Sequence, residues 1–277
     1  MVFLCLAILS SAAISLVMRL SAERVKARLS MLGVNYLVCA LLGAAYAGFD
    51  LLPKAEGLST AVGLGAVAGV LYLSGFVLFQ WNTAHNGIVL SSIFMKLGLL
   101  VPMVLSVVVF HEAPTWMQLT GFCIAIAAIV LINLKNERGG SRFRWQLLGM
   151  LLMCGGSDAM SKVYEALGPA SLGDQFLFYT FAVALLLCAG LVAVKKERPG
   201  LRELLFGTAV GVPNFFSAKF LLMALADLPA VVVFPSFSIA TMLIVTLAGV
   251  VFFKERLLKL QWVALVAIVA ALLLLNL

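Results

Sequence analysis

VVVFHEAPTWMQLTGFCIAIAAIVLINL, residues 107 to 134, returns as VVFFKERLLKLQWVALVAIVAALLLLNL, residues 250 to 277, in an unbroken register of 143 residues. Phe110, Glu112, Gln118, Ala127, Ala128, Asn133 and Leu134 recur as Phe253, Glu255, Gln261, Ala270, Ala271, Asn276 and Leu277. The chain reads as two copies of one sequence, and internal repeats in an apolar chain point to a transporter. At the same spacing Tyr36 meets Tyr179 and Arg19 meets Lys162. The third and eighth helices need a one-residue gap, where Gly69 in GVLYLSGFVLFQWNTA aligns with Gly211 in GVPNFFSAKFLLMALA.

With 64% apolar and 11% charged residues, the 277-residue chain is too greasy for a soluble domain, in which charge runs near a quarter. Stretches of about 20 apolar residues, enough to cross some 30 Å of hydrocarbon, give ten predicted spans. They lie at 2–19, 30–48, 58–80, 87–110, 115–134, 145–164, 173–194, 203–223, 229–253 and 259–277. The expected fold is an all-α integral membrane protein, multi-pass in the cytoplasmic (inner) membrane. Its domains are a first five-helix repeat at 1–134, a cytoplasmic connecting loop at 135–144 and a second five-helix repeat at 145–277. The short connections leave no room for a soluble domain. The first stretch lacks a basic leader and an A-x-A site, so a retained helix is expected there rather than a signal peptide. Cys5, Cys39, Cys123, Cys154 and Cys188 all sit inside apolar stretches, which favours core filling over disulfides.

Fifteen of the 19 Lys and Arg residues crowd one set of connections: Arg19 to Arg28, Lys135 to Arg144, Lys195 to Arg202 and Lys254 to Lys259. The positive-inside rule makes those loops cytoplasmic and places both termini outside. The net charge of +7 is then a topology signal and not a nucleic-acid footprint. In the first copy the connection after the first helix is basic; in the second copy that position reads GPASLGD, and the basic KKERPGLR follows the next helix. Five helices per copy require this inversion, since an odd number turns the second copy over.

These features together resemble the drug/metabolite transporter superfamily, in its ten-helix group of two EamA-type repeats. The resemblance rests on the Glu112 and Glu255 turns, the basic residues Arg19 and Lys162 closing each first helix, and Pro235 early in the ninth helix. It implies a pseudo-twofold bundle around a central cavity. It also implies that the third, fourth, eighth and ninth helices line and gate that cavity, while the fifth and tenth lie away from it. Family members are usually drawn with both termini in the cytoplasm, opposite to the charge reading.

Ionisable groups inside spans each cost several kcal/mol unless they face protein or water, so they mark candidate sites. Lys96 in SSIFMKLGLLVP lies nine residues past Gly87, roughly 14 Å deep. It can hold a carboxylate or phosphate, or it can simply settle the bundle. Asp158 and Lys162 stand at i and i+4 on the sixth span, placed to neutralise each other; Asp158 is alternatively a proton or ammonium site. On the eighth span Pro213 interrupts the hydrogen-bond ladder, with Asn214, Ser217 and Lys219 after it and Phe215 and Phe216 able to meet an apolar ligand part. Ser91 and Ser92 precede Lys96, and Ser236, Ser238 and Thr241 surround Pro235. Tyr36, Tyr72, Tyr179, Gln80, Trp81 and Asn82 complete the polar set, Trp81 being the better interfacial anchor.

His85 and His111 have no ligating partner at i+3 or i+4, so no metal site is expected. Glu112 and Glu255 read as caps of the helices that follow them, and Gly65 with Gly69 as helix packing rather than a dimer seam. No phosphate loop, catalytic triad or Cys/His cluster is present, so neither enzyme activity nor a cofactor is expected. The leading expectation is a secondary-active transporter of a small organic anion or zwitterion, such as an amino acid, working by alternating access. The alternative is a proton-coupled exporter of cationic drugs using Asp158; a third is a membrane scaffold without transport. Expected partners are the small-molecule substrate, the lipid bilayer and, as a candidate coupling ion, protons. A monomer or weak homodimer that binds no nucleic acid is expected.

Overall fold

The computed structural model describes residues 1–21, 24–86, 88–133, 144–253 and 259–275. Among these the chain is all-helical: α1 Val2–Ser21, α2 Arg28–Tyr46, α3 Leu58–Asn86, α4 Ile88–Leu97, α5 Leu100–Val108, α6 Trp116–Asn133, α7 Arg144–Leu167, α8 Gly173–Lys195, α9 Leu201–Asp227, α10 Ala230–Phe253 and α11 Lys259–Leu275. A 3₁₀ turn, Ala170–Leu172, leads into α8. By length and composition six of the helices, α1, α2, α3, α8, α9 and α10, suffice to cross a membrane. Large apolar side chains such as Leu9, Leu186 and Val194 are exposed on them, as suits helices in lipid.

The fourth predicted span, expected as one helix over 87–110, is broken between α4 and α5. Pro102 is the reason. Its missing N–H removes the bond that the Gly98 carbonyl expects, and that carbonyl instead accepts from Val101 N at 2.9 Å. The preceding bonds tighten in step, Gly98 N to Met95 O at 3.2 Å and Leu99 N to Lys96 O at 3.4 Å, which is a 3₁₀ pattern. Pro213 and Pro235, by contrast, lie within α9 and α10, both continuous helices. Pro213 thus interrupts the hydrogen-bond ladder without ending its helix, and close by the Gly211 carbonyl accepts from Cys39 Sγ at 3.2 Å.

The chain forms two compact units, unit 1 from Met1–Leu73 and Met160–Asp227, unit 2 from Ser74–Ala159 and Leu228–Leu277. In unit 1, α1 packs along α9, and α2 packs on both α8 and α9. Small residues allow the closest approaches. A Cβ at Gly65 would lie 2.9 Å from the Phe176 carbonyl of α8, and one at Gly69 would meet the Thr180 carbonyl. On α9 a Cβ at Gly207 would lie 2.6 Å from Val34 Cβ, and one at Gly211 2.9 Å from the Asn35 carbonyl, both on α2. Gly65 and Gly69 therefore pack within the chain, and the aligned Gly69 and Gly211 each bring the third helix of one copy against the second helix of the other.

Carboxylates bind the two basic loops of unit 1 to one another. Glu203 Oε1 accepts from the amides of Lys26 at 3.3 Å and Ala27 at 3.4 Å, ahead of α2, while its Oε2 accepts from Gly200 N at 3.1 Å. Glu197 Oε2 accepts from Ser30 N at 3.1 Å, and Arg202 donates to the Arg24 carbonyl at 3.4 Å. One anion thereby serves two helix N-termini, where amides lack internal partners and the dipole favours negative charge. We expect Glu203→Ala to lower stability by about 1–2 kcal/mol, read as a fall in melting temperature in detergent, with Glu203→Gln intermediate.

Unit 2 is built on α6 against α11, with α10 and α5 beside them. Its core holds Leu99, Met103, Phe122, Ala125, Ala128, Ile239, Met242, Ala271 and Leu275. Gly121 sits where a Cβ would lie 3.0 Å from the Ala271 carbonyl. The repeated segments that begin the sequence reading are thus a packing pair. Glu112, expected to cap the following helix, accepts from Val231 N in the first turn of α10 at 3.3 Å. The start of α6 is closed by Thr115 and Gln118, which exchange backbone-to-side-chain bonds at 3.0 and 3.2 Å, because that pair has the capping-box spacing. Glu255 lies outside the described residues.

Candidate functional site

Of the residues singled out by sequence, Tyr36, Tyr72, Tyr179, Asn214, Phe216, Ser217 and Lys219 belong to unit 1, and Lys96, Asp158, Ser236 and Ser238 to unit 2. The Ser92 side chain lies outside what is described. In unit 1 several of these groups hold helices together. Tyr179 donates to the Leu51 carbonyl at 2.7 Å, Asn214 to Asn35 Oδ1 at 3.1 Å and Ser217 to the Ala7 carbonyl at 3.4 Å. Tyr36 is buried. Tyr72 sets its ring edge-on to Phe181 at 5.9 Å, beginning an aromatic series through Phe215, Phe216 and Phe220 to Phe3.

Lys219 is the exception in this group, for it lines a cavity of about 350 Å³ with Tyr164, Glu165, Asp174, Leu222 and Met223. Its ammonium lies 2.6 Å from Asp174 Oδ1 and 3.8 Å from the centroid of the Tyr46 ring. Lys162 sits 2.6 Å from Glu165 Oε2, one turn further along α7. The expected Asp158 and Lys162 couple is thus replaced, on the Lys162 side, by a pair at i and i+3 in the last turns of the helix.

In unit 2 the charge that acts on Asp158 is Lys96, from α4, and each feels the other's field. Both side chains are half-buried. Lys96 stands in the last turn of α4, and its carbonyl belongs to the tightened 95–101 segment. Ser236 is buried on α10 and Ser238 half-buried. The hydroxyls of Ser106 and Thr241 are buried with no partner among the described residues. Asn82 is structural, donating to the Leu78 and Gln146 carbonyls at 2.9 and 3.1 Å and so joining α3 to α7. Trp81 stacks on His85 at 4.0 Å.

The sequence reading did not single out Asp174 and Glu165, which line this cavity, or Tyr46, whose ring lies against Lys219. A signal for the acids was present. Once the fifteen loop cations are set aside, Lys54, Lys96, Lys162 and Lys219 remain. Two of these four pair with a carboxylate, Lys162 with Glu165 and Lys219 with Asp174, and Lys96 lies within the field of Asp158. No group of three or more His, Cys, Asp or Glu side chains able to hold a metal occurs among the described residues.

Residues 1–134 and 145–277 each match the EamA-like transporter family. An uncharacterized protein of Haemophilus influenzae is 24% identical over 275 residues, covering 94% of this chain and 92% of its own. A crystal structure of a protein 14% identical superposes with a TM-score of 0.80 over 99% of this chain and 96% of that one, a likeness of fold.

Proposed function

Since the chain belongs to the EamA-like transporter family, and is therefore a multi-pass membrane transporter, we propose that its cargo is a small zwitterion such as an amino acid, moved by secondary-active alternating access. The Lys96 and Asp158 couple carries this reading. Two opposite charges inside a bundle of apolar helices are tolerated because each supplies the other's counter-charge. A ligand bearing both an ammonium and a carboxylate supplies a counter-charge to each without leaving either group bare. A pure anion or a pure cation satisfies one and strands the other. The cost of a stranded charge therefore selects for zwitterions.

The hydroxyls of Ser236, Ser238 and Thr241 on α10 supply neutral donors and acceptors that can stabilise a polar ligand. In unit 1 the two basic loops share one end, joined through Glu203 and Glu197, which supports a cytoplasmic placement for that end under the positive-inside rule. The membrane is then the cytoplasmic one, and protons are the natural coupling ion for a carboxylate such as Asp158. No nucleotide-binding motif is present in the sequence, in keeping with transport driven by a gradient.

The test is uptake into proteoliposomes of purified full-length protein, with labelled neutral amino acids, dicarboxylates and permanent organic cations offered in parallel. Zwitterion uptake exceeding both other classes by tenfold or more is expected. Uptake confined to permanent cations would select the Asp158-centred exporter instead, and uptake confined to dicarboxylates would overturn the pairing argument.

A further inference from the structure

We propose that the unit 1 cavity between the end of α7, the start of α8 and the last turns of α9 is a binding site for a small primary ammonium ion with a short apolar tail. Its residues are a different set from Lys96 and Asp158, and the inference stands without the cargo reading. The cavity, about 350 Å³, lies at the small end of ligand pockets.

What its walls can offer decides the ligand. Both ion pairs turn their acid outward: the Glu165 and Asp174 side chains are 26% and 31% exposed, while their partners Lys162 and Lys219 are 9% and 17% exposed. The Lys219 ammonium is already engaged by Asp174 and by the Tyr46 ring. The Tyr164 hydroxyl donates to the Pro169 carbonyl at 2.7 Å. The Tyr164 donor is thus used within the chain, and the Lys219 charge already has its own counter-charge. Glu165 Oε1 and Asp174 Oδ2 have no partner among the described residues, and the Ser171 hydroxyl can serve either way. The lining therefore presents two carboxylates against one lysine, an excess of negative charge.

A primary ammonium brings three donors and a positive charge, matching two carboxylate oxygens and one hydroxyl. Leu222 and Met223 of α9 provide an apolar wall for the tail. The cavity lies at the end of unit 1 that holds Asp50 and Leu51, which bond to Gln175 and Tyr179 of α8. That end is away from the loops joined by Glu203, and under the charge rule it faces the exterior.

The experiment is calorimetric titration of the full-length protein in detergent with pentylammonium chloride, and separately with sodium pentanoate. The background is Lys96→Met/Asp158→Asn, so that the unit 2 couple contributes nothing. Pentylammonium is expected to bind at one site per chain, with affinity falling at least tenfold in both Glu165→Gln/Lys162→Met and Asp174→Asn/Lys219→Met. These double substitutions leave no lone buried charge, and size-exclusion profiles and melting curves confirm that they fold. Binding of pentanoate in place of pentylammonium, undiminished pentylammonium binding in both doubles, or no binding at millimolar concentration would each overturn the proposal.

Discussion

Lys96→Met and Asp158→Asn, taken singly, are expected to reduce transport in proteoliposomes by at least 100-fold and to destabilise the protein by less than the roughly 3–5 kcal/mol that removing one partner of a fully buried couple costs. The double variant Lys96→Met/Asp158→Asn is expected to recover most of the stability and none of the transport. The reasoning separates two costs. Each single change strands a charge inside helices that cannot solvate it, so folding and activity fall together. The double change removes both charges, so the bundle relaxes while the ligand loses both of its counter-charges. Thermal unfolding followed by tryptophan fluorescence reads the first cost and initial uptake rates read the second. A double variant as unstable as the worse single variant would show that Lys96 and Asp158 do not act as a couple. A double variant that still transports would show that neither touches the ligand.

Gly69→Leu and Gly211→Leu are expected to abolish recovery of monodisperse protein, with a loss above about 3 kcal/mol, because overpacking at a helix contact displaces backbone and not merely side chains. At Gly69 the added carbon meets the Thr180 carbonyl, and at Gly211 it meets Val38 Cβ at 2.8 Å and the Asn35 carbonyl at 2.9 Å. Neither neighbour is the tip of a flexible side chain. Gly63, on the same helix as Gly69, has nothing within 4 Å of the position a Cβ would take. Gly63→Ala is therefore expected to fold normally and to gain a few tenths of a kcal/mol through reduced unfolded-state freedom and better helix propensity. Size-exclusion profiles of the three variants in one detergent check both statements. Equal recovery of all three would mean that α3 and α9 do not depend on these contacts.

Hydropathy made most of the helices legible, because a span must satisfy all its backbone groups internally and so advertises itself as an apolar run of fixed length. The repeat in residues 107–134 and 250–277 made the family legible as well. The break at Gly98 was not found, although Pro102 stood in view, because Pro213 and Pro235 look alike in sequence and do not break their helices. What distinguishes Pro102 is the glycine pair at that level: a Cβ at Gly155 would run into the Gly98 carbonyl and Val101. Lys96 and Asp158 were legible one at a time from their depth in the spans. Their coupling was not, since they come from α4 and α7, and sequence spacing says little about which helices meet. Tyr179, Asn214 and Ser217 were legible as polar but not as structural, because only coordinates show that their hydrogen bonds are already made.

Each compact unit draws on both repeats, and α3 and α7 each contribute to both units. A polypeptide ending at residue 134 thus supplies unit 1 with α1, α2 and the first part of α3, and lacks the α8 and α9 surfaces on which Gly65, Gly69 and the α2 face come to rest. Neither half is a folding module by itself. If the gene were cut between the repeats, the fragments would have to find each other in the bilayer and intertwine before either unit could close.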